Sequence, residues 1–373
     1  MAAQPSLKLR DPRASRKQEL TIRKPQKLGS YSNRKTASES VYEEGTGELR
    51  VLKLPQRLKN LSFDLSDGYI RLRDGGSLIC SPLEKEPGLK HILKWLLNNK
   101  HKFQLQSGME SSCAINTDFL TYRGIIAKIM SSPYEYHDGW CIAATKYRGT
   151  IYLYEFVTDK KREQEMNRNE RSNMCSYGGF RFEYYITKPA NPEANDDDLD
   201  FQTHNEFCCI ARTRLGRHSL VYGAEMDCIE STVRSLDPDL SDFVEIKTTQ
   251  SVDNQRQWDN LVKFKMFKWW CQCYLIGIPT VVCGYRDNSM VVREIERLKV
   301  ADMPKMATKF WSPDACLLFL NRFLDFAKQV VLEDDPSLMY EFNWEPGSDV
   351  TVRKTTATED RFVIPKWFVD DMS

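Results

Sequence analysis

Glu225 and Asp227 stand two residues apart in the run VYGAEMDC, and Glu245 and Lys247 stand two apart in FVEIKTTQ. Alternate residues of an extended strand share a face. Each run therefore predicts a charged face, with Met226 and Cys228 turned away in the first, and Val244 and Ile246 in the second. Between the runs lies SLDPDLSD, rich in the turn formers Asp, Ser and Pro. The pattern predicts two adjacent strands that bring three carboxylates and one lysine to a common face. Carboxylates crowded together repel and hold their protons more tightly. A divalent cation removes that cost. Mg²⁺ and Mn²⁺ prefer oxygen ligands, and Mg²⁺ keeps waters and accepts phosphate oxygens from a substrate. A lysine beside the ion can orient a water or hold a phosphate as a point charge. This equipment suits phosphodiester or pyrophosphate hydrolysis with one or two metal ions. The plainer alternative is a solvated acidic face, which either pair alone would suggest.

The elements that must position these residues are legible in outline. FRFEYYIT reads as a further strand on which Glu183 shares a face with Arg181 and Tyr185, so this carboxylate joins the cluster if the strands adjoin. The charged stretch DKKREQEMNRNERSNMCS before it reads as an exposed helix ended by Gly178 and Gly179. WCIAATKY and TIYLYEFV flank Arg148 and Gly149 as a hairpin, and FCCIARTRL leads by Gly216 into the central strands. PTVVCGYRD and MVVREIERL read as strands too. Leu89, Ile92, Leu93, Leu96 and Leu97 make one apolar helical face. In DFLTYRGIIAKIMSSPYE, Arg123 and Gly124 precede an amphipathic helix, and an arginine at a helix start can grip phosphate or a carboxylate. RQWDNLVKFKMFKWWCQCYLIG reads as one long helix whose Lys265, Lys268 and Gln272 share a polar stripe, facing either a phosphate backbone or solvent. Ser312 and Pro313 open a core helix carrying Leu317, Leu320, Phe323, Leu324, Ala327 and Val331. FVIPKWFV near the C-terminus is expected to pack. With no repeat or internal linker, these elements predict one domain over residues 28–373, built on mixed sheets.

Composition narrows the function classes. The chain has 373 residues, 41% of them hydrophobic, and a net charge of +1, so any nucleic-acid site must be a local patch rather than a global field. No run of about 18 apolar residues predicts a membrane span, and no apolar signal core opens the chain. Residues 1–27 are basic, with Lys8, Arg10, Arg13, Arg16, Lys17, Arg23, Lys24 and Lys27 against Asp11 and Glu19. Pro5, Pro12 and Pro25 discourage regular structure, so this stretch reads as a flexible arm that could touch RNA, serve as a nuclear address, or only solubilise. The 11 cysteines include no C-x-x-C pair and predict reduced thiols in an intracellular core. The five histidines are dispersed, and no local signature supports Cys-His catalysis. The acidic run Asp196, Asp197, Asp198 and Asp200 is a rival metal site, but it lies among loop residues and reads as solvated.

Assembled in order, TYRGIIAK, GGFRFE, GAEMDC, VEIKT and KWWCQ resemble the DXO decapping exoribonuclease family, with SSPYE, TRLG, GIPTVVCGYRD, LEDDPSL and WEPG in support. The resemblance runs from about residue 28 to the C-terminus. It implies an α+β fold of two packed mixed or antiparallel β-sheets ringed by helices, with a metal-dependent nuclease-like core and the active site in a cleft. It implies that Glu183, Glu225, Asp227 and Glu245 hold divalent metal, two ions of Mg²⁺ or Mn²⁺, with the Ile246 carbonyl completing one shell. Lys247 would stand beside the attacked phosphate. Tyr122, Arg123, Gly124, Cys208, Glu225, Lys247 and Gln272 fall where the family contacts substrate; Tyr122 departs from the tryptophan common there. The implied activity is RNA 5′-end quality control: release of whole caps from NAD-capped or incompletely methylated RNA, with 5′-triphosphate pyrophosphohydrolase and 5′–3′ exoribonuclease activity besides. RNA 5′ ends as substrate and a large 5′–3′ exoribonuclease as partner follow from the same resemblance; a nuclear and also cytoplasmic location and no membrane partner are expected besides. Two rival readings are a DNA nuclease with the same carboxylates, and a catalytically weak RNA-binding scaffold that stabilises an exoribonuclease.

Overall fold

The computed structural model describes residues 5–9, 20–35, 40–74, 88–103, 115–193, 205–235 and 237–372. Among these residues, seventeen strands form two sheets. The ten-stranded sheet runs β1 (Ser6–Leu7), β17 (Val350–Thr356), β16 (Leu338–Trp344), β7 (Trp140–Tyr147), β8 (Thr150–Phe156), β6 (Phe119–Tyr122), β11 (His218–Glu225), β10 (Glu206–Leu215), β2 (Gln26–Lys35) and β3 (Ser40–Glu44). The seven-stranded sheet runs β5 (Lys59–Asp64), β15 (Val291–Lys299), β14 (Thr280–Arg286), β13 (Phe243–Gln250), β12 (Cys228–Ile229), β4 (Arg50–Leu52) and β9 (Thr187–Pro189). Most neighbours are antiparallel; β6 is parallel to β8 and β11, β13 to β14, and β12 to β4. The α-helices are α1 (Tyr69–Asp74), α2 (Lys90–Asn98), α3 (Arg123–Ser131), α4 (Asp159–Met166), α5 (Glu170–Ile186), α6 (Gln255–Asn260), α7 (Phe267–Ile276), α8 (Met303–Met306), α9 (Pro313–Val330) and α10 (Lys366–Met372). Among the described residues, no helix is long and apolar enough to cross a membrane.

The layers follow from the alternation of each strand. Phe119, Ile142, Ile151, Phe207, Tyr222, Phe243 and Val281 turn inward and form the main core with α3, α7 and α9. The next residues along those strands of the large sheet, among them Leu120, Ala143, Tyr152 and Ile210, face α2 and α10 on its far side. Val244, Ile246 and Val282 leave the small sheet on its other face and meet Phe182 and Ile186 of α5. The expected fold class, two packed sheets ringed by helices, is the one observed.

Local sequence explains several boundaries. Arg148 and Gly149 both have positive φ, 47° and 79°, as the tight β7–β8 hairpin turn requires. Ser312 accepts the Ala315 N–H and Pro313 occupies the first turn of α9. Val363, Ile364 and Phe368 pack, as read. The nine described cysteines are unpaired, and all but Cys175 are buried.

Four expectations need correction. Glu183 lies on helix α5, not on a strand, and Gly178 and Gly179 fall inside that helix rather than ending one. The Asn169 side chain caps α5 by accepting the Ser172 N–H, and Phe182 sits against Gly284 of β14, where a Cβ would fall 2.6 Å from its ring. Cap and tertiary packing thus override the strand preference of the aromatic run. Second, β11 and β13 are not neighbours. Met226 still donates its N–H to Phe207 on the large sheet, and by Cys228 the chain pairs with β13 in the small one. Glu225 and Asp227 therefore stand at the crossing between sheets rather than on one strand. Third, residues 255–276 are not one regular helix: a π-helical stretch, Leu261–Met266, separates α6 from α7. Its wider turn shifts the register between Lys265 and Lys268. Lys265 bonds Thr249 while Lys268 pairs with Glu135, so they form no continuous stripe. Fourth, the described parts of the basic arm are docked. Ser6 and Leu7 pair with β17, Leu9 N–H donates to Asp349, and Ile22 bridges to Leu215. Residues 10–19 of the arm, and the acidic run at Asp196, Asp197, Asp198 and Asp200, lie outside the described residues.

Candidate active site

Strand β13 supplies the centre of the site. Alternation puts Glu245 and Lys247 on one face, and Lys247 Nζ donates to Glu245 Oε1 at 2.7 Å. Glu245 is only 2% exposed. Its Oε2 also accepts from Arg123 Nη1 at 3.4 Å. Burial alone would raise the Glu245 carboxyl, but Lys247 and Arg123 outweigh it and hold the group below its ordinary range. The same pairing, with Asp227 second to Glu245, keeps Lys247 protonated above its usual range in spite of burial.

Arg123 reaches Glu245 because of where its helix begins. Strand β6 runs parallel between β8 and β11 and ends at Tyr122, whose extended backbone caps α3. Arg123 is therefore the first residue of α3 and is itself buried. Gly124 follows it at the surface, where an added Cβ would meet nothing within 4 Å. Helix α7 packs on α3 and carries half-buried Gln272.

Asp227 closes the site from the crossing. Its Oδ2 accepts the Ile246 N–H at 2.5 Å and lies 3.8 Å from Lys247 Nζ. Burial first, and the Glu245 charge second, push its carboxyl up to about 7. Glu183, brought by α5 from the far side of the small sheet, is raised strongly by burial and then by Asp227. Glu225, Cys208 and Tyr122 share one face of the large sheet through their register: Glu225 opposes Cys208, and Tyr122 opposes Gly223 two residues before Glu225. The structure thus gathers Glu183, Asp227, Glu245, Lys247 and Arg123 into one electrostatic cluster, and Glu225 acts on that cluster from the adjoining sheet. Tyr31 was missed by the sequence reading. It is buried on β2 opposite Cys208 and raised by burial, then by Cys208 and Tyr122. Residues around it carry no spacing signal that would have marked it.

The donor set fits a hard divalent cation. Four carboxylates face two cations, so full ionisation leaves two negative charges uncompensated. Glu183 and Asp227 are accordingly shifted toward their protonated forms. Among the described residues, no three carboxylate, histidine or cysteine side chains stand close enough in this arrangement to enclose an ion. Lys247 and Arg123 take up Glu245 instead.

Mixed sheets with Glu245-Ile246-Lys247 on a central strand and Asp227 beside it resemble the core of a nuclease of the PD-(D/E)XK type. A family model described as "RAI1 like PD-(D/E)XK nuclease" matches residues 23–369, and the chain belongs to that family. It is 34% identical to the decapping and exoribonuclease protein of Xenopus laevis over 78% of this chain and 72% of that one. Against the Bos taurus protein of the same name it is 32% identical over 93% and 85%. The fold superposes on the crystal structure of Candida albicans Rai1 in complex with pU5-Mn²⁺ with a TM-score of 0.80, at 20% identity, covering 99% of both chains. The chain is accordingly a hydrolytic nuclease, homologous to decapping nucleases.

Proposed function

We propose that this protein is a divalent-metal-dependent RNA 5′-end hydrolase that releases whole caps, NAD caps and incompletely methylated guanosine caps, and degrades 5′-monophosphate RNA from the same site. The observation that carries the reading is the buried cluster of Asp227, Glu245 and Lys247 joined by Arg123 and Glu183. Relatives named as decapping and exoribonuclease proteins, and the RNA and Mn²⁺ held by the Candida albicans relative, support it. Glu183, Glu225, Asp227 and Glu245, with the Ile246 carbonyl, would hold the metal, two ions of Mg²⁺ or Mn²⁺ in our reading. Metal bound there supplies a water of lowered pKa and positive charge on the phosphate.

The chain's own groups do the rest. Lys247 stays protonated and offers a fixed cation beside the attacked phosphate. Arg123, fixed at the start of α3, offers a second donor to the same phosphate while it holds Glu245 ionised. The Ile246 N–H fixes one oxygen of Asp227 and so its orientation. Tyr122, Gly124, Cys208 and Gln272 would contact the nucleotide end, with Gly124 leaving open space. A single catalytic domain over residues 28–373, a large 5′–3′ exoribonuclease as partner, and a nuclear as well as cytoplasmic location complete the proposal. The test is product identity by mass on NAD-capped RNA. Attack at the phosphate joining cap to RNA releases intact NAD and leaves 5′-monophosphate RNA. Nicotinamide mononucleotide with adenosine-5′-monophosphate RNA would show a different scissile bond and defeat this reading.

A further inference from the structure

The face of β13 that carries Glu245 and Lys247 continues to Thr249, two residues and about 7 Å further along the strand. Thr249 Oγ1 accepts a hydrogen bond from Lys265 Nζ at 3.0 Å. Lys265 comes from the π-helical stretch that precedes α7, an irregularity that recurs at functional sites. Beside it stands Arg286, the last residue of β14. Arg286 Nη2 donates to the Cys175 sulfur of α5 at 3.2 Å, and Arg286 Nη1 is buried with no hydrogen-bond partner. Among the described residues, neither Lys265 nor Arg286 is paired with a carboxylate: the groups acting on Lys265 are Arg286 and the thiols Cys283 and Cys175. Burial, and then Arg286, hold the Lys265 ammonium below its ordinary range.

Lys265 is exposed overall, with its ammonium set against Thr249, so the cost falls on Arg286, whose half-buried guanidinium has one N–H without an acceptor and a second cation beside it. By contrast Arg123 is paired with Glu245, and Glu341 with Arg353 and Arg361. An anion with several acceptor oxygens removes both penalties here. A phosphodiester offers two oxygens, one for the Lys265 point charge and one for the free Nη1 of Arg286.

We infer that Lys265, Arg286 and Thr249 form a subsite for a second phosphate of the bound substrate, one nucleotide step along β13 from the phosphate attacked beside Lys247. The inference rests on the hydrolase reading above and adds a binding element to it. That phosphate belongs either to the RNA strand or to the cap, and two substrates separate the cases.

The experiment compares wild type with Lys265→Gln, Arg286→Gln and Lys265→Arg. KM and kcat are measured on 5′-monophosphate RNA, which has no cap phosphates, and on NAD-capped RNA. RNA binding is titrated with salt in chelator. Either Gln variant should raise KM about tenfold, the scale of one lost charge-assisted hydrogen bond, with a smaller change in kcat. Lys265→Arg should recover most of it. A defect on both RNAs places the phosphate in the RNA strand, and a defect on NAD-capped RNA alone places it in the cap. For the RNA-strand case, the slope of log Kd against log salt should shrink by roughly 0.7, one phosphate contact on a single strand. Melting temperature should stay level or rise, since one of two repelling cations is gone. Unchanged KM on both RNAs with an unchanged salt slope would overturn the subsite. Wild-type protein that binds RNA with this slope but turns over neither substrate would overturn the hydrolase reading and leave the subsite standing.

Discussion

Asp227 is pulled two ways: burial and the Glu245 charge favour its proton, while Lys247 and the Ile246 N–H favour its loss. The first pair wins, and the group sits at about 7 against an ordinary 3.8. An acid raised on folding binds more protons folded than unfolded, so stability falls as pH rises between those values. With metal chelated, the protein is expected to lose stability from about pH 4 to pH 7, on the order of a few kcal/mol, with Glu183 adding in the same direction. Mn²⁺ should cancel the fall, because a bound cation holds the carboxylates ionised. Urea melts at several pH values, with and without Mn²⁺, check this; metal-free stability that climbs over that window would contradict it. Residue types were the most legible level of this chain. Spacing of two marked Glu225, Asp227, Glu245 and Lys247 as chemistry. The Arg123–Glu245 pair was not legible, since it joins positions 122 residues apart through the start of a helix. Nor was the cation pair of Lys265 and Arg286, which meet only where a π-helical stretch and a strand end converge.

Elements carried their own signals where local chemistry decided them. The β7–β8 hairpin and the start of α9 follow from a turn dipeptide and a Ser-Pro cap. Helix α5 does not, because its aromatic run favours a strand until Phe182 finds Gly284. That contact positions chemistry, since Glu183 is the next residue of the helix. Gly284→Ala should therefore push α5 away from the sheet. A Cβ 2.6 Å from the Phe182 ring is too close to keep, and overpacking of this kind costs about 1–3 kcal/mol. Melting temperature and RNA turnover should fall together, and adding Phe182→Leu should return part of both. Full turnover in a destabilised Gly284→Ala protein would show that Glu183 does not depend on this packing.

At the scale of the whole molecule, the site exists because the chain changes sheets. Residues of the large sheet bring Tyr122, Arg123, Cys208 and Glu225 to the crossing, and the small sheet brings Glu245 and Lys247. Asp227 lies between them, one residue before β12 joins β13. The strand pattern foresaw mixed sheets, and the family resemblance two packed ones, but the pattern set Glu225 and Asp227 on one strand, since no local signal marks the residue at which a strand leaves its sheet. One assembly with one set of carboxylates implies that every activity of the protein shares them. The most direct measurement is turnover by the Glu225→Ala, Asp227→Ala double variant on NAD-capped RNA and on 5′-monophosphate RNA, alongside its melting temperature in chelator. Both activities should drop to background together, while the metal-free melting temperature stays level or rises as carboxylate repulsion is relieved. Near-normal turnover of either RNA by the folded double variant would contradict a single metal-dependent site.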